Sequence, residues 1–322
     1  MKTIRIDSTQ KYDLPQSVCA LGFFDGIHRG HQQLIQAAID DAKEQGRKSA
    51  VLTFDPDPWK VLKPDAELTH LSALDDKAAI LNAMGVDLFY VVEFTRDFAG
   101  FSIDDFHAFL SGLNITGIVC GFDYTYGKKG IGNTQTLAAA KEFSLRVIDQ
   151  ISDDLAKISS SRIEALLGEG DVAKANELLG YMYSIKGVIE PGFQRGRQIG
   201  FPTANLDFSS EEVCPAHGVY AGYVYVDGQY RGAMINIGKN PTFNNTKRTI
   251  EAYIFDFEGD LYDHAARFFF AKRLRGEIRF SSVDDLKKQL TKDVDSSREA
   301  LKEHEAEFET TKRLWSLAGS VC

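Results

Sequence analysis

Two histidines three residues apart, set among glycines, are the residues of this chain most plainly arranged for chemistry. The segment GFFDGIHRGHQQLI, Gly22 to Ile35, carries His28 and His31 with Gly22, Gly26 and Gly30. It joins a short apolar run, VCALGF, to an amphipathic one, so it reads as a strand-to-helix turn. Glycines let the backbone approach a ligand, free N–H groups collect at the helix start, and both imidazoles can share one face. That combination suits a polyphosphate. Taken singly, each histidine would read as a cap or a satisfied core group. A His-x-x-His metal pair lacks a third ligand at useful spacing. Two further segments sit where they can help: KISSSRI, Lys157 to Ile163, puts hydroxyls at a helix start, and GFDYTYGKKGIG, Gly121 to Gly132, follows the strand-like TGIVC. Alone, the first is equally a serine N-cap and the second a bare glycine-rich turn.

The second half holds a different set. In GRQIGFPTANLDF, Gly196 to Phe208, Pro202 fixes φ, and Thr203 and Asn205 present oxygens two residues apart, facing one way if the chain is extended. Such oxygens suit Mg2+ carried by a nucleotide. On composition alone, PTAN reads as a structural turn with an Asx bond. Glu251 alternates with apolar residues in TIEAYIFDF. That alternation suggests a carboxylate pointing into a barrel, where it can take a proton from a hydroxyl; a solvent-facing glutamate fits the same periodicity. The kinase signature GxxxxGK[ST] is absent.

The elements that must position these groups fall into two kinds. VCALGF, AVLTF, LFYVV and TGIVC read as buried strands, separated by helical patterns: a stripe of Leu34, Ile35, Ala38, Ile39 and Ala42 after His31, with Gly46 as a helix stop, then 75–84, 103–113 and 134–143. This alternation implies a parallel sheet with helices on both faces, a Rossmann-like α/β fold. Beyond Leu179 the period changes to two. Asp227-Gly228 between strand-like runs signals a hairpin, and TIEAYIFDF and ARFFFAKRL add strands of a small antiparallel barrel. From Val283 onward, Leu286, Leu290 and Val294 recur every four residues, predicting one long terminal helix. Two domains, 1–180 and 181–322, are expected.

Composition narrows the partners. The 322 residues carry a net charge of −9, with 43% hydrophobic and 26% charged residues, which is a globular composition that argues against nucleic acid or a membrane surface as partner. The N-terminus has no apolar signal region, no run approaches ~20 apolar residues, and Cys19, Cys120, Cys214 and Cys322 show no metal spacing. A cytoplasmic chain with reduced thiols is expected; oligomeric state is left open.

HxGH at such a turn is the signature of adenylyl- and cytidylyltransferases. With all four segments in order, the chain resembles the prokaryotic bifunctional riboflavin kinase/FAD synthetase family from about Val18 to the terminal helix. The first turn is similar to that family's GxFDGxHxGH, GFDYTYG to its GxDFxFG, and Gly196 to Asn205 to its GRxxGFPTAN; DLY at Asp260 to Tyr262 and RxE at Arg275 to Glu277 follow. The resemblance implies riboflavin plus ATP giving FMN, then FMN plus a second ATP giving FAD and pyrophosphate, with Mg2+. It implies His28 and His31 as catalytic groups of adenylyl transfer, with Gly22, Phe24, Asp25, Gly30, Asp123, Ser160, Ser161 and Arg162 around that ATP. For the kinase it implies Gly196, Arg197, Gly200, Phe201 and Pro202 at ATP, Thr203 and Asn205 at magnesium, and Glu251 as base. Three positions depart from the pattern: Glu164 where the family has arginine, Asp263 where glycine is common, and Asp57 where histidine is common. The first bears on the adenylyl site, leaving two other readings open: a kinase with an impaired first domain, or a flavin or nucleotide sensor.

Overall fold

Strand-forming, fully buried runs build the first half. In the computed structural model, which describes residues 1–322 apart from 155, 193–195, 197–198, 243–244, 320, 322 and the side chains of 240–247, the chain divides into two compact units, Met1–Ser159 and Ser160–Cys322. In the first, β1 (Lys2–Ile6), β2 (Ser17–Leu21), β3 (Lys48–Asp55), β4 (Leu88–Glu93), β5 (Ile115–Gly121) and β8 (Ser144–Ile148) form a parallel sheet in the order β1-β4-β3-β2-β5-β8. From β2 the chain steps through β3 and β4 on one side, then returns to β5 on the other. The carboxyl ends of β2 and β5 therefore bracket a topological switch point, where open α/β sheets leave a crevice for ligands. The two glycine-rich turns follow these two strands.

The connecting helices are α1 (Arg29–Glu44), α2 (Pro58–Leu62), α3 (Leu74–Met84), α4 (Ile103–Gly112) and α5 (Thr134–Ala139), with a small hairpin of β6 (Thr125–Tyr126) and β7 (Gly132–Asn133) before α5. Gly46 takes φ +64° just past α1, as a C′ stop requires. The helix expected over 134–143 is a correction: it ends at Ala139, because Ala140 is extended, and the chain turns into β8. That strand is half to fully exposed at the sheet edge, so no apolar run announced it.

In the second unit, α6 (Ser160–Glu169) and α7 (Val172–Leu179) precede a closed antiparallel barrel of β9 (Ser184–Glu190), β10 (Ala204–Phe208), β11 (Gly218–Val226), β12 (Gln229–Thr242), β13 (Asn245–Ile254) and β14 (Ala265–Arg275). Asp227 and Gly228 both take positive φ, 52° and 74°, as a type I′ turn demands, and pair Val226 with Gln229. Helix α7 is tied to the barrel by Asn176, which donates to Phe270 O at 2.9 Å and accepts from Tyr183 N at 2.7 Å. The single terminal helix expected from Val283 is two: Val283–Glu303 and Glu305–Ala318, broken at His304. The residues it buries deepest are Asp293, Ser297, Ala300 and Leu301, while Leu286, Leu290 and Val294 are half-buried. Asp293 is the reason: Arg275 grips its carboxylate through Nε (3.0 Å) and Nη2 (2.7 Å), and Gln289 adds a bond at 2.8 Å.

Candidate active sites

The turn after β2 is held in an unusual shape by named contacts. Phe24 and Ile27 take positive φ, 56° and 36°, and Gly26 takes 73°. Asp25, expected at ATP, is buried and serves as the clamp of this turn. Its oxygens accept from Leu71 N (3.0 Å) and Ser72 N (3.2 Å), while Gly26 N donates to Ser72 Oγ at 2.9 Å. Thr53 Oγ1 and Lys77 Nζ both donate to Phe23 O, at 2.9 and 3.1 Å.

That clamp delivers the two histidines together. His28 caps α1, its Nδ1 accepting from His31 N at 3.3 Å. The rings stack with centroids 3.6 Å apart, and Phe24 meets His31 edge-on at 5.3 Å. A Cβ at position 30 would sit 3.1 Å from the His28 ring, so Gly30 is what lets His28 lie back over the helix start. With Nδ1 accepting, the neutral ring carries its proton on Nε2 and offers that N–H as a donor. His31 Nδ1 is buried without a hydrogen-bond partner among the described residues.

Electrostatics keep both rings neutral. Burial, assisted by Lys157, pushes His28 down to about 4, its backbone hydrogen bond opposing the fall. His31 lies well below its ordinary value through burial, then His28, Lys77 and Lys157. Lys77 is itself buried, over the Phe23 ring at 3.8 Å, and burial lowers it, with Asp25, Asp57 and Asp55 opposing. From the turn after β5, Asp123 accepts a hydrogen bond from Lys157, whose ammonium lies 5.0 Å over the Phe122 ring. Gly22 backs onto the Phe24 ring, 3.0 Å from where a Cβ would stand. Ser160, Ser161 and Arg162 open α6, in the second unit.

Local cross-strand register builds the other site. Asn205 on β10 lies opposite Glu251 on β13, and Glu251 opposite Asn236 on β12. Thr203 Oγ1 donates to Glu251 Oε2 at 3.3 Å. Thr203, Asn205 and Glu251, read from separate segments, thus converge. Glu251 does not point into the barrel. Ile250 and Ala252 are buried and pair with buried Ile237 and Ile235, so the inner row is apolar and Glu251, with Asn236, lies on the outer wall. A barrel this small fills its interior with side chains and has no room for a substrate.

The chain before β10 folds over that wall. Gly196 O accepts from Ile199 N (3.1 Å) and Phe201 N (2.9 Å), and Gly200 takes φ +89°. Phe201 packs against Tyr253 at 5.3 Å, two residues beyond Glu251 on its face; Pro202 is exposed. A Cβ at Gly192 would fall 2.0 Å from Asn205 Nδ2, so only glycine leaves that amide its place. Arg197 lies outside the described residues.

Two family models match separate parts of the chain. The FAD synthetase family matches residues 10–162, and the riboflavin kinase family matches 179–301. A bifunctional riboflavin kinase/FMN adenylyltransferase of Listeria monocytogenes is 40% identical over 92% of this chain and 98% of its own. The chain belongs to the bifunctional riboflavin kinase/FMN adenylyltransferase family. The corresponding Bacillus subtilis protein is 39% identical over 91% of this chain and 96% of its own. A solved Streptococcus pneumoniae structure described as a macrolide-efflux protein aligns at TM-score 0.87 and 34% identity, covering 92% of this chain and 98% of that one. Among the described residues here, no helix is long and apolar enough to cross a membrane.

Within the family pattern, the departures have structural addresses. Asp263 takes φ +66°, a region that glycine favours and aspartate tolerates. Asp57 caps α2 and lies 3.6 Å from His70 Nε2. Glu164 sits in the second turn of α6. Sequence reasoning missed Lys77 and Asn236. Lys77 leaves a signal: with Ile80, Leu81 and Met84 it occupies helical spacing, a lysine in an apolar stripe. Asn236 leaves none until the register of β12 on β13 is known.

Proposed function

We infer that this chain catalyses two transfers, riboflavin phosphorylation in residues 181–322 and FMN adenylylation in residues 1–180. In the first, the ribityl 5′-hydroxyl oxygen attacks the γ-phosphorus of Mg-ATP. Its proton passes to Glu251, the bond from γ-phosphorus to the β-bridging oxygen breaks, and ADP leaves. Thr203 and Asn205 hold Mg-ATP oxygens; Thr203 turns its hydroxyl from Glu251 to do so. In the second, an FMN phosphate oxygen attacks the α-phosphorus of another Mg-ATP and pyrophosphate departs. No enzyme nucleophile is needed. The work is positioning and neutralising charge. His28 offers Nε2–H, His31 stacks behind it, Lys77 adds a buried cation, and Asp123 with Lys157 closes the β5 side. By their motif, Ser160, Ser161 and Arg162 take the leaving pyrophosphate. Gly22, Phe24, Asp25 and Gly30 shape the turn that receives ATP, and Gly196, Gly200, Phe201 and Pro202 the loop that receives the kinase's ATP.

The observation that carries this reading is the placing of Thr203 and Asn205 beside Glu251, in a chain that also keeps the stacked histidines. A sensor needs no base. Magnesium comes as part of the nucleotide substrate, and the free Cys19, Cys120 and Cys214 suit a cytoplasmic setting. Incubating the purified chain with riboflavin, ATP and Mg2+ and separating the flavins by chromatography tests it. FAD is expected. FMN as the only product would remove the adenylylation, and unchanged riboflavin would remove both.

A further inference from the structure

A cavity of about 540 Å3 opens on the second unit, and none of the groups assigned above to the kinase lines it. It is lined by Arg231 and Gly232 of β12, Phe255 and Asp256 just past β13, and Arg298, Leu301 and Lys302 of the helix Val283–Glu303. Phe255 stands four residues beyond Glu251, which at ~3.3 Å per residue is roughly 13 Å along the chain. The volume falls within the ~300–1,000 Å3 of small-molecule sites.

Its lining is two-toned. Phe255, Gly232 and Leu301 make an apolar floor, so closely set that a Cβ at Gly232 would meet Leu301 at 3.0 Å and Phe255 at 3.1 Å. Around it stand three cations and one carboxylate. Arg298 is neutralised by Asp256, at 2.9 and 3.0 Å, and lies 4.5 Å over the Phe255 ring. Lys302 is exposed and has no ion partner among the described residues. The helix end accounts for Lys302, since cations favour a C-terminal turn. It does not account for Arg231, which comes from the barrel. Arg231 donates to Gln229 at 2.6 Å and lies 5.0 Å over the Phe257 ring, yet its Nη1 is buried without a hydrogen-bond partner among the described residues. A buried, charged donor left unpaired is costly, and an incoming oxygen that draws the guanidinium round relieves that cost. The local excess of positive charge stands out in a chain of net charge −9.

We propose that this cavity is a further ligand site, taking a phosphate carried on a planar aromatic group, in other words a mononucleotide. The ring stacks on the Arg298 guanidinium that covers Phe255, beside Leu301, and the phosphate meets Arg231 and Lys302. Guanidinium and ammonium together select phosphate, while the floor excludes bare inorganic anions from full affinity. The assignment does not rest on either reaction proposed above.

Methyl NMR of the full chain tests it, with the Leu301 δ-methyls as local reporter and FMN, ADP and inorganic phosphate as separate probes. FMN or ADP should shift Leu301 in a saturable way, at concentrations ~10-fold or more below those at which phosphate acts; whichever is tighter names the nucleotide. Combining Arg231→Gln with Lys302→Gln should weaken that response ~10-fold or more, as loss of a charge-assisted bond implies. If that double variant misfolds, the exposed Lys302→Gln alone should still weaken it. The proposal fails if Leu301 stays still while other methyls respond. It fails equally if phosphate acts at the same concentration as FMN and ADP, or if a folded variant keeps the full shift, which would then be relayed from elsewhere.

Discussion

Replacing His28 by asparagine separates the proton of the imidazole pair from its geometry. Asparagine is itself a good N-cap, so the bond from His31 N survives while the titrating ring is removed. In the free protein His28 lies at about 4, hence neutral at pH 7. A phosphate charge arriving ~4 Å away, at an effective dielectric near 20, favours the protonated ring by ~4 kcal/mol, or about three pH units. The cap opposes that shift, since the added proton goes on Nδ1, which accepts from His31 N, so binding of a non-hydrolysable Mg-ATP analogue at pH 7 should take up a measurable fraction of a proton. Calorimetry in buffers of different ionisation enthalpy measures this directly. His28→Asn should abolish His28's share and slow FMN adenylylation by ~10²–10³-fold, the loss typical of one preorganised donor. A second readout has a fixed sign. The buried ring falls from 6.5 to about 4 on folding, so its neutral form stabilises the fold fully above pH 6.5. Up to ~3 kcal/mol is then lost as pH falls from 6.5 toward 4. The variant should show less acid destabilisation over that window. Equal proton uptake by native and variant protein would refute the neutral-imidazole account, even with activity lost.

Glu251→Gln should slow riboflavin phosphorylation by ~10²–10⁴-fold, as for loss of a general base, while leaving FAD formation from supplied FMN intact; normal FMN output would release Glu251 from its role. Lys77→Met keeps the apolar stem but removes the buried cation, so kcat/KM for adenylylation should drop ~10–150-fold, the equivalent of ~1.5–3 kcal/mol of charge-assisted bonding, with kinase rates unchanged. Arg275→Met strands the Asp293 carboxylate, only 4% exposed, and should cost ~3–5 kcal/mol, read as a lower melting temperature of the kinase half; a melt within 1–2 °C of native, on the order of ~0.5 kcal/mol, would contradict this. Asp263→Gly relieves a φ of +66° and should raise the melting temperature slightly, by the order of ~0.5–1 kcal/mol, with both activities kept.

Much of this was legible because the signals are local. The Asp227-Gly228 turn, the apolar strands and the His28–His31 spacing each depend on neighbours a few residues away. Thr203, Asn205 and Glu251 could be named singly, but their meeting depends on the pairing of β10 with β13, which period-two alternation does not reveal. Alternation also misled over Glu251's direction. A residue among apolar neighbours can face either side of a strand, and only burial of Ile250 and Ala252 decides it. Strand β8 escaped because an edge strand need not be apolar, and the break at His304 because the helical pattern is the same on both sides. Lys77 was hidden by its type: lysines are expected outside, and this one is retained inside by Phe23 O and the nearby carboxylates.

That Glu251 stands on the outside of a sealed, oil-filled cylinder divides the labour of the kinase half. Ile235, Ile237, Ile250 and Ala252 determine whether the cylinder holds together; the residues one position along each strand, among them Asn236 and the proposed base Glu251, face the other way. The two sets share a backbone yet never share a face. Selection, or a designer, can therefore retune melting behaviour from within and substrate preference from without, each with little say over the other.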